Sequence, residues 1–541
     1  MTGATNQPAE LDFPGFSTSG KHKFVSPHTR VRLVTYPLDD RHPFAPQARS
    51  GSRVFDWSED SVGSVVSLDW SKQMGQASGS WTAKLKTKHD ERTGDARARL
   101  DQFEIRDGDW ADITVLRNGV PIPLMRGVVD SVRRRRYSVQ GASAVEYTVT
   151  GRDHGAFFEY PITWSSVWVR TLDETVRGLF TDRLDGKVGG SPDELFAALI
   201  QGTFGVGTDA TGVPSGQWMI PQSLRDKMPG GDFRRLNDVL SVITFDAIQG
   251  TKGLRGAYYN QPQLWTVGEQ DLHQTLQQWS NPLLNETWYD LALPRAFVPQ
   301  NGLHKFLSTS TDRFRDRSGA QVPTTETEQW GTMCAFCRER PFPTTEQGID
   351  SMWFNLPTWS IPTWLLQQDD LGVSGHDRSN LMELTADIGL GSQPEQIAAA
   401  RPLWNIEDIR LRGLRTYSKS TNYIARGADK GYGDWLTERS TWLAILRDWF
   451  GPNPYMTNGS LSVKALLPEV RIGQRLILDT GSPSQNEQFY VEGVSGQWHA
   501  AQEHAGENGS TTFTVTRGFQ GTDTDLNSQI KEAANLFKET F

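Results

Sequence analysis

The chain has 541 residues, a formal net charge of -9, 37% hydrophobic residues and 22% charged residues. That length is too great for one ordinary core and implies several domains at roughly 100–200 residues each. The acidic balance excludes broad binding to nucleic acid or anionic membrane, both of which need an excess of Lys and Arg, and no run of about 18 apolar residues is present to span a bilayer.

Residues 1–27 are polar and rich in Gly, Ser and Pro, and read as an extended arm that is either disordered or ordered only against a neighbour. They hold no basic stretch followed by an apolar one, so no secretion signal is expected. From Arg30 the texture is β. RVRLVTYPL, GSVVSLDWS, GSWTAKLKT, ADITVLRNG, MRGVVDSV and EYTVTG alternate apolar with polar residues, and Gly, Asn or Asp break them. Asn118-Gly119 predicts a two-residue hairpin. A first β-barrel or sandwich module over 28–165 follows. Within it, Arg133–Arg136 reads as a solvated hairpin tip or a contact for an acidic partner rather than a phosphate site. The run VEYTVTGRDHG sets Arg152, Asp153 and His154 side by side with no Ser or Cys nucleophile adjacent. Charged groups at a strand end cap the turn or pair across an interface, and that is the reading adopted.

Helical periodicity takes over in a subdomain at 166–300. Leu172, Val176, Leu179 and Phe180 fall on one face; Ser191, Pro192 and Glu194 begin a second helix; RLNDVLSVITF predicts a third, ending near Phe245. Leu272, Leu276 and Trp279 mark a fourth, which Asn281-Pro282 stops. Residues 301–400 mix short strands with long loops, including His376-Asp377 in a polar turn. A helical segment at 401–455 carries LTERSTWLAILRDWF up to Gly451-Pro452, and β texture returns over 456–523.

Cys334 and Cys337 are the only cysteines. Zinc needs four ligands, and no second Cys pair or nearby His pair completes the set, so two free, partly buried thiols and a reducing compartment are expected. No metal, cofactor or catalytic residue is expected. H-E-x-x-H, G-x-S-x-G and the P-loop pattern are missing, and the Gly-rich TFGVGTDATGVPSG lacks a phosphate-binding Lys. The 19 Trp suit extensive packing and protein contact surfaces.

The second β region repeats the first. VVDSV from Val128 matches YVEGV from Tyr490, YTVTGR from Tyr147 matches FTVTRG from Phe513, and the strand from Gly108 matches the one from Ile472, in the same order. The chain closes on residues 524–541, where Leu526, Ile530, Ala533, Phe537 and Phe541 form an apolar stripe on an amphipathic helix. Such a stripe either packs on its own domain or docks into a groove on a neighbouring subunit.

GSWTAKLKT, LMRGVVDSV, YTVTGRDHG, LHQTLQQWSNPLLNETWYD, CRERPF, IPTWLLQQDDLGVSGHDRSNLMEL, RIGQRLIL, FYVEGVSGQWH and TTFTVTRG, taken in order, resemble the central hub proteins of long-tailed bacteriophage tail tips and baseplates, a family related to the hub part of type VI secretion spikes. The resemblance implies an α+β, β-rich fold with two tube-like antiparallel β-barrel domains and intervening helical and mixed subdomains. It implies a non-enzymatic homotrimer in the virion tail, assembled in the host cytoplasm. Its pseudo-sixfold ring would meet the tail tube or a distal tail ring on one side and a spike or fibre on the other, and DNA would pass through without specific binding. Two features depart from that pattern: the insert at about 200–260, and the lack of an appended peptidase or lysozyme-like region. A tail-associated enzyme degrading envelope polysaccharide or peptidoglycan is the alternative expectation, resting on abundant Trp and acids.

Overall fold

A computed structural model describes residues 9–10, 29–36, 55–57, 63–87, 105–117, 120–139, 142–159, 240–245, 271–280, 282–293, 331–346, 352–374, 378–386, 401–421, 432–500 and 508–538. The first third carries β1 (Ala9–Glu10), β2 (Thr29–Tyr36), β3 (Phe55–Asp56), β4 (Gly63–Gln73), β5 (Ser80–Thr87), β6 (Trp110–Arg117), β7 (Val120–Val139) and β8 (Ala142–Asp153). The middle carries β9 (Leu240–Phe245), α1 (Leu272–Trp279), β10 (Asn285–Ala292), β11 (Thr332–Glu339), β12 (Thr358–Pro362), β13 (Leu366–Gly372), β14 (Leu381–Ala386), β15 (Leu403–Trp404), α2 (Ile406–Arg412) and β16 (Thr416–Thr421). The last third carries α3 (Tyr432–Phe450), β17 (Thr457–Val463), β18 (Arg475–Asp479), β19 (Glu487–His499), β20 (Asn508–Gln520) and α4 (Asp523–Asn535).

Fourteen strands form one sheet, organised as two runs. The first has the order β4-β5-β8-β7-β6-β2-β3, and the second β13-β17-β20-β19-β18-β12-β1. The runs join where the second half of β19 pairs antiparallel with β4, from Gly493 opposite Gln73 to His499 opposite Ser67. No pairing among the described strands closes either run into a separate barrel. The first run nevertheless coils: Val31 and Leu33 of β2, five strands along, share a core with Val65 and Leu68 of β4. In the second, β13 ends the run and β12 is next to last at the other side, yet the two are joined by a single 3₁₀ turn at Thr363–Leu365, and Ile361, Val463, Leu476, Phe489 and Phe513 fill the interior.

Alternation explains the strands. Tyr147 and Val149 of β8, and Phe513 and Val515 of β20, are buried while the intervening Thr residues lie outward. β6 and β7 pair with Arg117 opposite Val120, as a two-residue hairpin requires. The second run is not contiguous in sequence, because β12 and β13 come from the stretch expected to mix strands and loops.

Smaller sheets, β10-β11-β9 and β15-β14-β16, brace the large one. One expected helix is corrected here. Leu240–Phe245 is strand β9, parallel to β11 from Leu240 opposite Met333 to Phe245 opposite Arg338. A short apolar run rich in β-branched residues suits a parallel strand as well as a helical face, and pairing with β11 decides the outcome. The helix from Leu272 forms as expected, with Asp271 accepting a 2.7 Å bond from the Gln274 amide and the helix ending at Trp279. α3 likewise runs to Phe450, just before Gly451-Pro452. The helices expected at 171–184 and 191–200, the Gly-rich 203–216 stretch, Asn118-Gly119, His376-Asp377 and Phe541 lie outside the described residues.

Candidate functional site

The repeated module is the most distinctive feature of the chain, because its two copies share the same backbone hydrogen bonds around a left-handed glycine. Gly108 and Gly473 both take the left-handed backbone, at φ 82° and φ 80°. Each amide donates to the Val that precedes the acid of its motif, Gly108 N to Val129 O at 2.7 Å and Gly473 N to Val491 O at 2.9 Å. Each motif amide answers the next residue along, Val129 N to Asp109 O at 2.8 Å and Val491 N to Gln474 O at 3.0 Å. The approach is latched alike, by Arg106 N on Asp109 Oδ2 at 2.8 Å and by Arg471 N on Gln474 Oε1 at 2.9 Å.

Both motifs then bulge at their acid. β7 slips register at Asp130, between Val129 and Ser131, and β19 slips at Glu492, between Val491 and Gly493. Across the ladder, Arg152 holds Asp130 at 2.8 and 2.9 Å, and Thr516 holds Glu492 at 2.9 Å. One detail departs from the sequence match. Ser131 faces Thr150 whereas Gly493 faces Thr514, so the pairing places β20 two residues from the alignment of YTVTGR with FTVTRG. A two-residue shift keeps every side chain on its own face, which is why the fold accepts it.

Arg152, Asp153 and His154 are fixed by charge and burial. Arg152 lies between Asp130 and Glu159, chiefly Asp130, which hold its guanidinium more firmly protonated than usual despite partial burial. Asp153 accepts from the Gly155 amide at 2.9 Å and pairs with Lys72 of β4. Lys72 also lies 3.4 Å from Asp290 of β10, and Arg471 lies 3.3 Å from the same carboxylate. Burial alone would raise the Asp290 carboxyl, but Lys72 and Arg471 together hold it below the ordinary range. Arg471 further donates to the carbonyls of Pro123 and Leu124 on β7, the former contact being the tighter. This chain of buried charges ties β4, β7, β8 and β10 to the second module. His154 is fully enclosed, with Nε2 3.1 Å from Cys334 O, and desolvation lowers its pKa from 6.5 to about 4. The ring is therefore held neutral against a backbone carbonyl.

A second buried cluster was not foreseen. Arg338 of β11 donates to Glu286 at 2.6 Å, to Tyr490 Oη at 2.6 Å and to Gly473 O at 2.8 Å, while its guanidinium stacks 4.7 Å over Trp288. It thus props the left-handed glycine of the second module. CRERPF carries this Arg in sequence, but nothing local announces a partner at Tyr490.

Cys334 and Cys337 are buried outright rather than partly, because both faces of β11 are covered, and burial pushes the Cys334 thiol well up. Among the described residues no cluster of His, Cys, Asp or Glu is placed to hold a metal, and no helix is long and apolar enough to cross a membrane. Leu526 and Ile530 of α4, and Phe537 just past its end, pack into this chain's own core with Trp442, Leu446 and Trp449 of α3, and Ala533 is buried beside them on the same helix.

No family model and no curated protein matches the chain. Solved structures do resemble it. A 43 kDa tail protein of prophage MuSo2 from Shewanella oneidensis is 10% identical, covering 90% of this chain and 96% of its own, with a TM-score of 0.38. A tail protein from Neisseria meningitidis MC58 is 9% identical over 90% and 96%, with a TM-score of 0.40. A PdpA-VgrG complex is 8% identical over 93% and 67%, with a TM-score of 0.36. Two of these structures are tail proteins and the third is a PdpA-VgrG complex.

Proposed function

We propose that this chain is a structural hub of a phage tail tip or baseplate, in which three copies form a pseudo-sixfold ring. The observation that carries the reading is the duplication: one polypeptide presents the same glycine latch, the same acid bulge and the same order of five strands twice. Three such chains offer six similar edges, so a threefold particle can meet a sixfold tube on one side and a threefold spike or fibre on the other. The middle sheets and helices brace the ring from outside. Its acidic balance suits a bore through which DNA slides, because acids repel phosphate. Arg152, Asp153 and His154 join the modules rather than act on a substrate. Native mass measurement with negative-stain imaging tests the proposal: a particle of three chains with six-lobed projections supports it, and a stable monomer or an open filament at all concentrations refutes it.

A further inference from the structure

The pairing of β19 with β4 inside the chain is a template for an interface between chains. The corresponding parts of the opposite modules are β7 and β13, and among the described strands each has a neighbour on one side only over the stretch concerned. β7 pairs with β6 only through Val128, so on that side the backbone from Ser131 to Val139 has no partner strand among the described residues. Among the described residues β13 pairs with β17 on one edge only. Unpaired edges of this length are templates for strand addition.

We propose that β7, from Ser131 onward, pairs antiparallel with β13 of a second copy of this chain, in the register that β19 and β4 already use. This rests on the ring reading above, and it names the contact that closes the ring. The register follows from matching bulges. Asp130 in β7 corresponds to Glu492 in β19, and the slip after Val65 in β4 corresponds to the slip after Leu366 in β13. Gly493 opposite Gln73 and Val494 opposite Lys72 then become Ser131 opposite Ser374 and Val132 opposite Val373. Gln497 opposite Asp69 becomes Arg135 opposite Asp370, and Trp498 opposite Leu68 becomes Arg136 opposite Asp369.

Side chains on the two edges complement one another. Arg133 to Arg136 are all exposed, and so are Asp369 and Asp370, neither of which has an ion-pair partner among the described residues. Glu487 lies close enough to Asp369 that burial together with this like charge raises its pKa. Val373 is 57% exposed, an unusual position for a branched apolar side chain, and the register covers it with Val132. Arg135 already faces Glu146 on β8, so the new carboxylates would extend a charge ladder.

The test is Val132→Cys combined with Val373→Cys in the full chain, oxidised and run without reductant. A covalent three-chain species from the double variant, with neither single variant cross-linking, is the expected result. Charge reversal provides a second measurement. Arg135→Asp with Arg136→Asp should weaken assembly at least tenfold, and adding Asp369→Arg with Asp370→Arg should restore it. A three-chain particle that never cross-links and ignores both reversals would overturn this register while leaving the ring reading intact. A monomeric parent protein would overturn both.

Discussion

Replacing Gly108 and Gly473 by Ala, one at a time, probes the duplication most directly, since the same backbone sits in two different surroundings. Both residues hold a φ near +80°, where a Cβ costs about 1–2 kcal/mol. Gly108→Ala should lose about that much. At Gly473 the new Cβ would lie 2.8 Å from Arg338 Nη2, the atom that bonds Gly473 O and Tyr490 Oη. Pushing that guanidinium aside also weakens charge-assisted bonds worth about 1.5–3 kcal/mol, so Gly473→Ala should lose about 3–5 kcal/mol in total. Urea unfolding followed by tryptophan fluorescence reads both losses, and Asn, which tolerates the left-handed region, should recover part of the loss at 108. Equal losses at the two sites, or none at either, would refute the assignment of a shared latch with an Arg338 prop on one copy.

Protonation of His154 should destabilise the fold between pH 6.5 and about 4: the unfolded chain takes up the proton first while the buried ring resists it, for a loss of about 3 kcal/mol at the acid end. A pH series of unfolding midpoints should flatten over that range in His154→Gln, with the further loss from Asp290 appearing only at lower pH. Ile530→Ala empties a buried site beside α3 and should cost about 2–5 kcal/mol in thermal or urea melts while leaving the assembled mass unchanged. Glu286→Gln leaves Arg338 buried without its carboxylate and should cost about 3–5 kcal/mol in the same assay. Neither cysteine should react with a thiol reagent in the native protein, and both should react in urea, as counted by mass.

The strands of the first module were legible because period-two alternation and turn residues are local signals, and β4 through β8 follow them. The repeat was legible for the same reason, since the acid in VVDSV and YVEGV marks the bulge in both copies. The two-residue difference in the pairing of β20 could not be read, because register is set by contacts across the sheet and a shift of two leaves the alternation unchanged. β9 reads locally as a helical face because its deciding partner, β11, lies far along the chain. Distance also hid the charge cluster: Lys72, Asp290 and Arg471 reach Asp153 and one another only through the fold, whereas Arg152, Asp153 and His154 stood together in plain view.

Strand β19 belongs to both modules at once, its early residues bonded to β18 and its late ones to β4. Any swivel of one half against the other must therefore rupture a whole ladder together, and shear along a ladder is the direction in which hydrogen bonds yield collectively rather than one by one. A polypeptide spliced in this way is stiff from one module to the next, because the strand that would have to hinge is itself held in two ladders.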